Sequence, residues 1–447
     1  MFIPPGSHDI HDDVISFEDD LKEDPYKTFA ELAVEPEPNG HKEIPKEKYL
    51  VVMPSIRKIP WEYFAPLADL DIFVCDDSDG EADRGQLRHN QWQEMLYPPG
   101  YNTATHFKRI FVANREFTRS YVGEENLWLF PNHNPSVKNI GLYYAVKEGY
   151  KGVILLDDDC DTRERHERDF LTLGRGTETW DWSCGGDWMN TLALISFPDH
   201  SRNNKLFARG FPYEWRTRGF SIQKNEGLAF PYFNEGLWTG HPDINGMDKL
   251  EMYPRYPIDV DTMESDLPWW IDPDFDRVNP GQVALRTTQQ LPLSIMNCQI
   301  HTNLIPAFFQ PSDYDLYNSY KIRRHDDIWS MYFLRAIMGR LGLDVTVGNP
   351  LIRHRKEGDA IREALSEHYT NLIQPAFMSL VDEANDYGFH RYYGSGLVDS
   401  SVVAQMAIEW SARIRAFGKW GTEVEGAYLE VLQAHFRKTQ GWAELFV

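Results

Sequence analysis

Three consecutive carboxylates follow a short apolar run in the middle of the chain. The segment VILLDDDC places Asp157, Asp158 and Asp159 directly after residues 153–156. Such a run is typical of a buried strand, and carboxylates crowded at its end repel one another unless a cation or a proton intervenes. Mg²⁺ and Mn²⁺ prefer oxygen ligands and commonly bridge them to substrate phosphates. The triplet therefore predicts a divalent-metal site, with a helix cap or a solvated acidic loop as the alternative.

A cluster of arginines forms the second candidate group. Arg209, Arg216 and Arg218 all lie in the short segment ARGFPYEWRTRG. The planar and permanently charged guanidinium matches the oxygens of a diphosphate, and such a cluster stands out on a chain this acidic. The cluster indicates a diphosphate site, with ordinary ion pairs at the surface as the alternative.

A histidine and a pair of aspartates complete the candidates. His354 follows the apolar run DVTVGNPLI and has basic neighbours, so it could bind a metal or a phosphate. The alternative is a histidine with a purely structural role. Asp326 and Asp327 begin the helical segment DDIWSMYFLRAIMGRLGL, where carboxylates favour the positive end of the helix dipole. We expect helix caps there, with a catalytic carboxylate as the alternative.

The elements around these residues predict an α/β fold. KYLVVMP, DIFVCDD and KRIFVANRE are typical of buried strands, the first ending at Pro54, and WEYFAPLADL and SVKNIGLYYAVKEGY are typical of helices. This alternation favours a mostly parallel, Rossmann-like sheet flanked by helices, with ligands bound beyond the carboxyl ends of the strands. Asp76 and Asp77 end the second strand, so they should share an edge with the aspartate triplet.

The composition of the chain restricts the classes of protein to which it can belong. The chain has 447 residues, 42% of them hydrophobic, which suffices for a large core and excludes a disordered chain. The formal net charge of −23 argues against broad nucleic-acid binding. Four widely spaced cysteines fit buried thiols in a reducing compartment. No apolar run reaches the length of a membrane span and the N-terminus lacks signal-peptide features, so we expect a cytoplasmic protein.

The chain divides into three predicted regions. Residues 1–46 are an acidic, proline-containing N-terminal extension, residues 47–358 form the α/β domain, and residues 359–447 form a helical C-terminal region. The segment 80–102 and the aromatic stretch 180–188 are expected to be additional surface loops, which could contact an acceptor or serve as an interface or a lid.

Eight segments resemble, in order, motifs of the reversibly glycosylated polypeptides, a family that includes the UDP-arabinopyranose mutases. In this chain they are VVMPSIRKIPW, VCDDSDG, VILLDDDC, ARGFPYEWR, EGLWTGHPDIN, PLSIMN, RRHDDIW and LIRHRK. Each motif alone is weak, but their common order makes the resemblance specific. It covers residues 48–358 and leaves both termini outside.

The resemblance implies a GT-A-like glycosyltransferase fold that binds a UDP-sugar and Mn²⁺ or Mg²⁺, with the metal on Asp157, Asp159 and His354. Arg209 would take or guide the sugar, Arg216 would neutralise the leaving group, and Asp327 would contact the sugar or assist proton transfer. Contacts with the nucleotide sugar are implied for Arg57, Asp76, Asp77, Asp157, Asp158, Trp238, Asn297, Asp326 and Lys356.

The chain also departs from the family motifs. Glu235 replaces a histidine, Ile295 a glycine and Arg353 a tryptophan, and RHDDI replaces R-Y-D-D-M. The leading hypothesis is a UDP-arabinopyranose mutase that interconverts pyranose and furanose forms of a UDP-sugar. The departures and added loops favour one alternative, a glycosyltransferase acting on a protein, a small molecule or a nucleic-acid base. A second alternative is a non-catalytic partner subunit, and homo-oligomerisation is left open.

Overall fold

A computed structural model gives the structure of most of the chain. The described residues are 43–55, 59–77, 107–131, 135–184, 188–194, 207–213, 220–241, 243–252, 282–285, 289–311, 324–355, 360–386, 398–417 and 426–447. Outside them lie Arg57, Arg216 and Lys356, which carry implied site roles, together with Arg218, residues 1–42 of the predicted extension and the predicted surface segment 80–102.

Eleven strands, seven α-helices and several short 3₁₀-helices make up the described secondary structure. The strands are β1 (Tyr49–Ser55), β2 (Asp71–Asp76), β3 (Arg109–Ala113), β4 (Gly152–Leu156), β5 (Cys160–Asp161), β6 (Thr177–Cys184), β7 (Phe220–Ala229), β8 (Phe233–Gly240), β9 (Gln282–Leu285), β10 (Asn297–His301) and β11 (Val345–His354). The helices are α1 (Arg115–Val122), α2 (Lys138–Lys147), α3 (Gly246–Met252), α4 (Asp326–Leu341), α5 (Ala360–Asp386), α6 (Ser400–Phe417) and α7 (Gly426–Glu444).

The strands form a single sheet in the order β3-β2-β1-β4-β10-β8-β11-β9-β6-β7, with β5 beside β11. The predicted α/β sheet flanked by helices is confirmed, but the sheet is mixed and curled. Five strand pairs among the described residues are parallel and five are antiparallel. The expectation of a mostly parallel sheet is therefore not confirmed. It holds for β3-β2-β1-β4 and fails beyond β4, because β10 runs antiparallel to both of its neighbours.

The first strand is longer than expected, because β1 continues through Pro54 to Ser55. Its pairing with β4 stops at Val52, whereas its pairing with β2 extends to Ser55. Beyond Val52 the side of β1 that faces β4 needs no ladder hydrogen bonds, and a proline is tolerated at such an edge position.

Helix α2 approaches the sheet unusually closely. A Cβ atom on Gly141 would lie 2.5 Å from a Val52 methyl carbon and 3.2 Å from Cys75 Sγ, so only glycine allows this distance from β1 and β2. The close approach places the first residue of α2, Lys138, beside the end of β4.

The C-terminal helices share the hydrophobic core of the sheet. Trp410 of α6 and Phe436 and Trp442 of α7 belong to the same buried cluster as the residues of β1 and β4. The Trp442 indole also donates to the Ile305 carbonyl oxygen at 2.8 Å. No helix among the described residues combines the length and the apolar character that crossing a membrane requires.

Candidate functional site

The candidate site lies at the edge of the sheet where β1, β2, β4, β8 and β11 end. Ser55, the last residue of β1, pairs with Asp76 of β2, and the aspartate triplet follows β4 directly. His354 ends β11 opposite Gly240 of β8. The two predicted acidic clusters and the predicted histidine thus follow strands that end at one edge, as ligand sites of α/β sheets do.

Asp159 faces the imidazole of His354, with its Oδ1 atom 3.4 Å from Nε2. Strand pairing causes this approach, because Cys160 of β5 lies opposite His354. On the other side of the ring, Nδ1 lies 2.7 Å from the His241 carbonyl oxygen. A carbonyl can only accept, so Nδ1 carries the proton and Nε2 faces Asp159. Burial lowers the pKa of His354, but Asp159 and the His241 carbonyl raise it to a net value above the ordinary one.

Asp161 fixes the short strand β5 that carries this pair. Arg163 Nη2 lies 2.7 Å from Asp161 Oδ2, and Arg355 Nε donates to the same oxygen at 3.0 Å. Burial raises the pKa of Asp161, but the two guanidinium groups lower it to a net value below the ordinary one. The β5–β11 connection is therefore held by charge-assisted hydrogen bonds next to Asp159.

The other two aspartates of the triplet have different partners. Lys138 Nζ lies 2.5 Å from Asp157 Oδ1, in a pair whose lysine side chain is 3% exposed and whose aspartate side chain is 34% exposed. Ser55 Oγ donates to Asp158 Oδ2 at 3.3 Å. The Asp77 amide donates to the Ser55 carbonyl oxygen at 3.0 Å, which draws the end of β2 towards the same point. The members of the triplet thus have different partners: Asp157 faces the Lys138 ammonium, and Asp159 faces the His354 imidazole.

Arg209 is buried between two carboxylates. Its Nε and Nη2 atoms each donate to Asp243 at 2.8 Å, and its Nη1 and Nη2 atoms donate to Asp327 at 2.9 and 2.7 Å. Nη1 also donates to the Arg324 carbonyl oxygen. All five N–H donors of the guanidinium are therefore used. Burial lowers the pKa of Arg209, but Asp243 and Asp327 raise it well above its ordinary value, so the group stays charged.

A partly buried ion-pair network extends from Arg209 to α5. Arg324 pairs with Glu363 at 2.7 Å and with Glu367 at 3.1 Å, both on α5. Lys249 of α3 also pairs with Glu363, at 2.9 Å. The residues around Arg209 therefore depend on a C-terminal helix that lies outside the segment resembling the family.

Glu235, which replaces the family histidine, is fully buried in β8. Its Oε1 atom accepts from the Ser294 amide at 2.8 Å, and Oε2 has no hydrogen-bond partner among the described residues. Burial raises the pKa of Glu235 well above its ordinary value, and the Ser294 amide lowers it less. Its burial therefore favours the neutral form of the carboxyl.

Three residues with implied nucleotide-sugar contacts take part in protein contacts. Trp238 is 1% exposed and lies inside the sheet, opposite Ile352 of β11. Asn297 is fully buried, and its amide donates to the Leu237 and Pro350 carbonyl oxygens, both at 2.9 Å. Asp326 accepts from Gln310 Nε2 at 3.0 Å. In this arrangement Trp238 and Asn297 support β8 from within the core.

Two residues of the site were not predicted from the sequence. Lys138 gave no signal of its own, because a lysine at the start of an amphipathic helix normally lies in solvent. Asp243 lies within the quoted segment EGLWTGHPDIN, directly after a proline, and its aspartate could have been paired with the arginine cluster. Charge balance was the missing signal, since a buried arginine requires a carboxylate.

The metal prediction can be compared with the donor groups at this edge. Within the described ranges, no three His, Cys, Asp or Glu side chains already converge as a ligand set. Asp159 and His354 nevertheless fit a divalent cation, because a carboxylate oxygen faces an imidazole nitrogen whose ring a carbonyl orients from behind. Asp157, the third predicted ligand, is engaged by Lys138.

No model of a known protein family matches the chain, and no curated protein matches it at a significant level of similarity.

Proposed function

We propose that the protein is a metal-dependent nucleotide-sugar enzyme with a GT-A-like sheet edge, most simply a UDP-arabinopyranose mutase. The observation that supports this best is the approach of Asp159 to His354 at the end of the strand that carries the aspartate triplet. The common order of the eight motifs supports the substrate class.

In this proposal Asp159 and His354 would hold a divalent cation, Mn²⁺ or Mg²⁺, which would supply positive charge to neutralise the diphosphate leaving group. Asp76 and Asp77, at the end of β2, bind the nucleotide. Asp158 is oriented by Ser55 and orders the same edge of the site.

We assign Arg209 the role of a clamp on Asp327. A nucleophilic nitrogen needs a free electron pair, and a fully hydrogen-bonded, charged guanidinium has none to offer. The clamp fixes the Asp327 carboxylate, which stabilises the positive charge that develops on the sugar as UDP leaves. Sugar attachment to Arg209 would require this clamp to open.

The proposal is tested by incubating the purified protein with UDP-arabinopyranose and Mn²⁺, without an acceptor, and separating the nucleotide sugars. We expect UDP-arabinofuranose to form, and the pyranose form to return when the furanose is supplied. EDTA and the Asp159→Asn variant should both stop the reaction. Release of UDP without furanose would indicate a transferase, and absence of any reaction or binding would contradict the proposal.

A further inference from the structure

Lys138 is a buried cation with only part of its hydrogen-bonding capacity used. It is 2% exposed and lies at the first position of α2. Within the described part of the chain, its ammonium donates to Asp157 Oδ1 at 2.5 Å. An ammonium has three N–H donors. Two donors are thus left for a group that is not part of these residues.

Burial of such a charge is costly unless the ammonium is both paired and hydrogen-bonded. Methionine would fill a similar volume without burying a charge, but it would leave Asp157 without its cation. The pair is also asymmetric, since the lysine side chain is 3% exposed and the Asp157 side chain 34% exposed. The Asp157 side therefore faces the open edge of the site, and Lys138 lies directly beneath it.

Lys138 lies close to the start of α4. It is in the first turn of α2, which directly continues the 3₁₀-helix Pro135–Val137. Asn139 Oδ1 accepts from the Gln310 amide at 3.2 Å, and Gln310 Nε2 donates to Asp326 at 3.0 Å. These bonds hold the start of α2 against the start of α4. The Lys138 ammonium and the start of α4 therefore lie together at the edge where the aspartate triplet ends.

We propose that Lys138 binds a phosphate oxygen of the nucleoside diphosphate, and that Asp157 positions the ammonium instead of ligating the metal. This inference rests on the proposed function, because it assigns a phosphate subsite to the same site. Phosphate oxygens fit better than sugar hydroxyls, since a charged acceptor offsets the burial of the ammonium and a neutral hydroxyl does not.

The test measures UDP binding by calorimetry and Mn²⁺ binding in the absence of UDP. Lys138→Met should weaken UDP binding about 10- to 100-fold, the range expected for one hydrogen bond to a charged group. Its affinity for Mn²⁺ alone should stay within about threefold of the wild-type value. Lys138→Arg should recover most of the UDP affinity. Lys147→Met, at the exposed end of the same helix, is the matched control and should bind UDP normally.

Each outcome decides between the two proposals. If the wild type binds UDP and Lys138→Met binds it equally well, the Lys138 assignment is wrong and the proposed function stands. If the wild type fails to bind UDP, both are wrong. A loss of Mn²⁺ affinity in Lys138→Met that equals its loss of UDP affinity also overturns the assignment. Should the methionine variant fail to fold, Lys138→Gln replaces it, because its amide still donates to Asp157.

Discussion

Arg209 and Asp327 are joined by two parallel hydrogen bonds, from Nη1 to Oδ1 at 2.9 Å and from Nη2 to Oδ2 at 2.7 Å. Asp243 binds the other edge of the same guanidinium at 2.8 Å. One buried cation therefore compensates two buried carboxylates that come from separate segments of the chain. The start of α4 and the loop after β8 are fixed to each other through this single side chain.

Removal of Arg209 should destabilise the protein strongly. Arg209→Met leaves Asp243 and Asp327 buried without their cation, and the free energy of unfolding should fall by about 3–5 kcal/mol. Arg209→Lys keeps the charge but loses the planar fork, so a smaller loss of about 1–3 kcal/mol is expected. Urea unfolding at neutral pH measures both values. Arg168→Met, at a side chain that is 76% exposed, should change stability by less than about 0.5 kcal/mol. Wild-type stability in Arg209→Met would exclude the clamp.

His301 should make the protein less stable as the pH falls. Burial lowers the pKa of His301 from 6.5 to about 4, and its Nδ1 atom accepts from the Asn303 amide at 3.1 Å. Between these two pKa values the unfolded chain binds a proton that the folded protein does not. The stabilisation is therefore complete above pH 6.5 and is lost as the pH falls towards 4.

The His301→Asn variant tests this dependence, because asparagine keeps an acceptor for the Asn303 amide and does not titrate. Between pH 7 and pH 4 the variant should lose on the order of 3 kcal/mol less stability than the wild type. Urea titrations at several pH values measure the difference. His368→Asn, on the exposed side of α5, should follow the wild-type curve, and a His301→Asn curve parallel to wild type would refute the prediction.

Gly246 should not tolerate a side chain. A Cβ atom there would lie 2.6 Å from the backbone nitrogen of Ala364, so Gly246→Ala must push α3 away from α5. The same shift would stretch the hydrogen bond from the Gly246 amide to Glu367, now 2.7 Å. We expect a loss of about 1–3 kcal/mol in thermal or urea unfolding. The neighbouring variant Met247→Ala, at a 44% exposed residue, is the control and should be nearly neutral.

The thiols should be unreactive in the folded protein. Cys75, Cys160 and Cys298 are buried and form no disulfide. Burial raises the pKa of Cys75 to about 12 and raises that of Cys160 and Cys298 well above the ordinary range. Because the thiolate is the reactive form, titration with a disulfide reagent should detect at most one thiol per native chain and four after unfolding. Rapid reaction of two or more native thiols would contradict this burial.

The sequence predicted the elements better than their arrangement. Local apolar runs located β1, β2, β3 and β4, and an amphipathic pattern predicted α2. The helical segment that begins with Asp326 and Asp327 predicted α4, which is buried on nearly all sides in the structure. The short strand β10 leaves no such pattern. Its insertion between β4 and β8 depends on long-range pairing, so the mixed character of the sheet could not be predicted.

The candidate site was also predicted only in part from the sequence. Asp159 and His354 were expected to act together, and strand pairing places them 3.4 Å apart. The partners that charge burial requires were missed, because Lys138 is 19 residues from Asp157 and Asp243 is 34 residues from Arg209. Such long-range pairs become visible only in the folded structure.

The central claim is that Asp159 and His354 form a metal site that a nucleoside diphosphate completes. Its most direct test is titration with Mn²⁺, following the free ion by electron paramagnetic resonance, with and without UDP. Because the chain carries a net charge of −23, Asp69→Asn, at a 78% exposed side chain, controls for binding to the acidic surface.

We predict one tight Mn²⁺ site per chain that UDP strengthens. Asp159→Asn and His354→Gln should each weaken it at least about 10-fold, and Asp69→Asn should not. Equal Mn²⁺ affinity in the wild type and in both site variants, with no effect of UDP, would contradict the account.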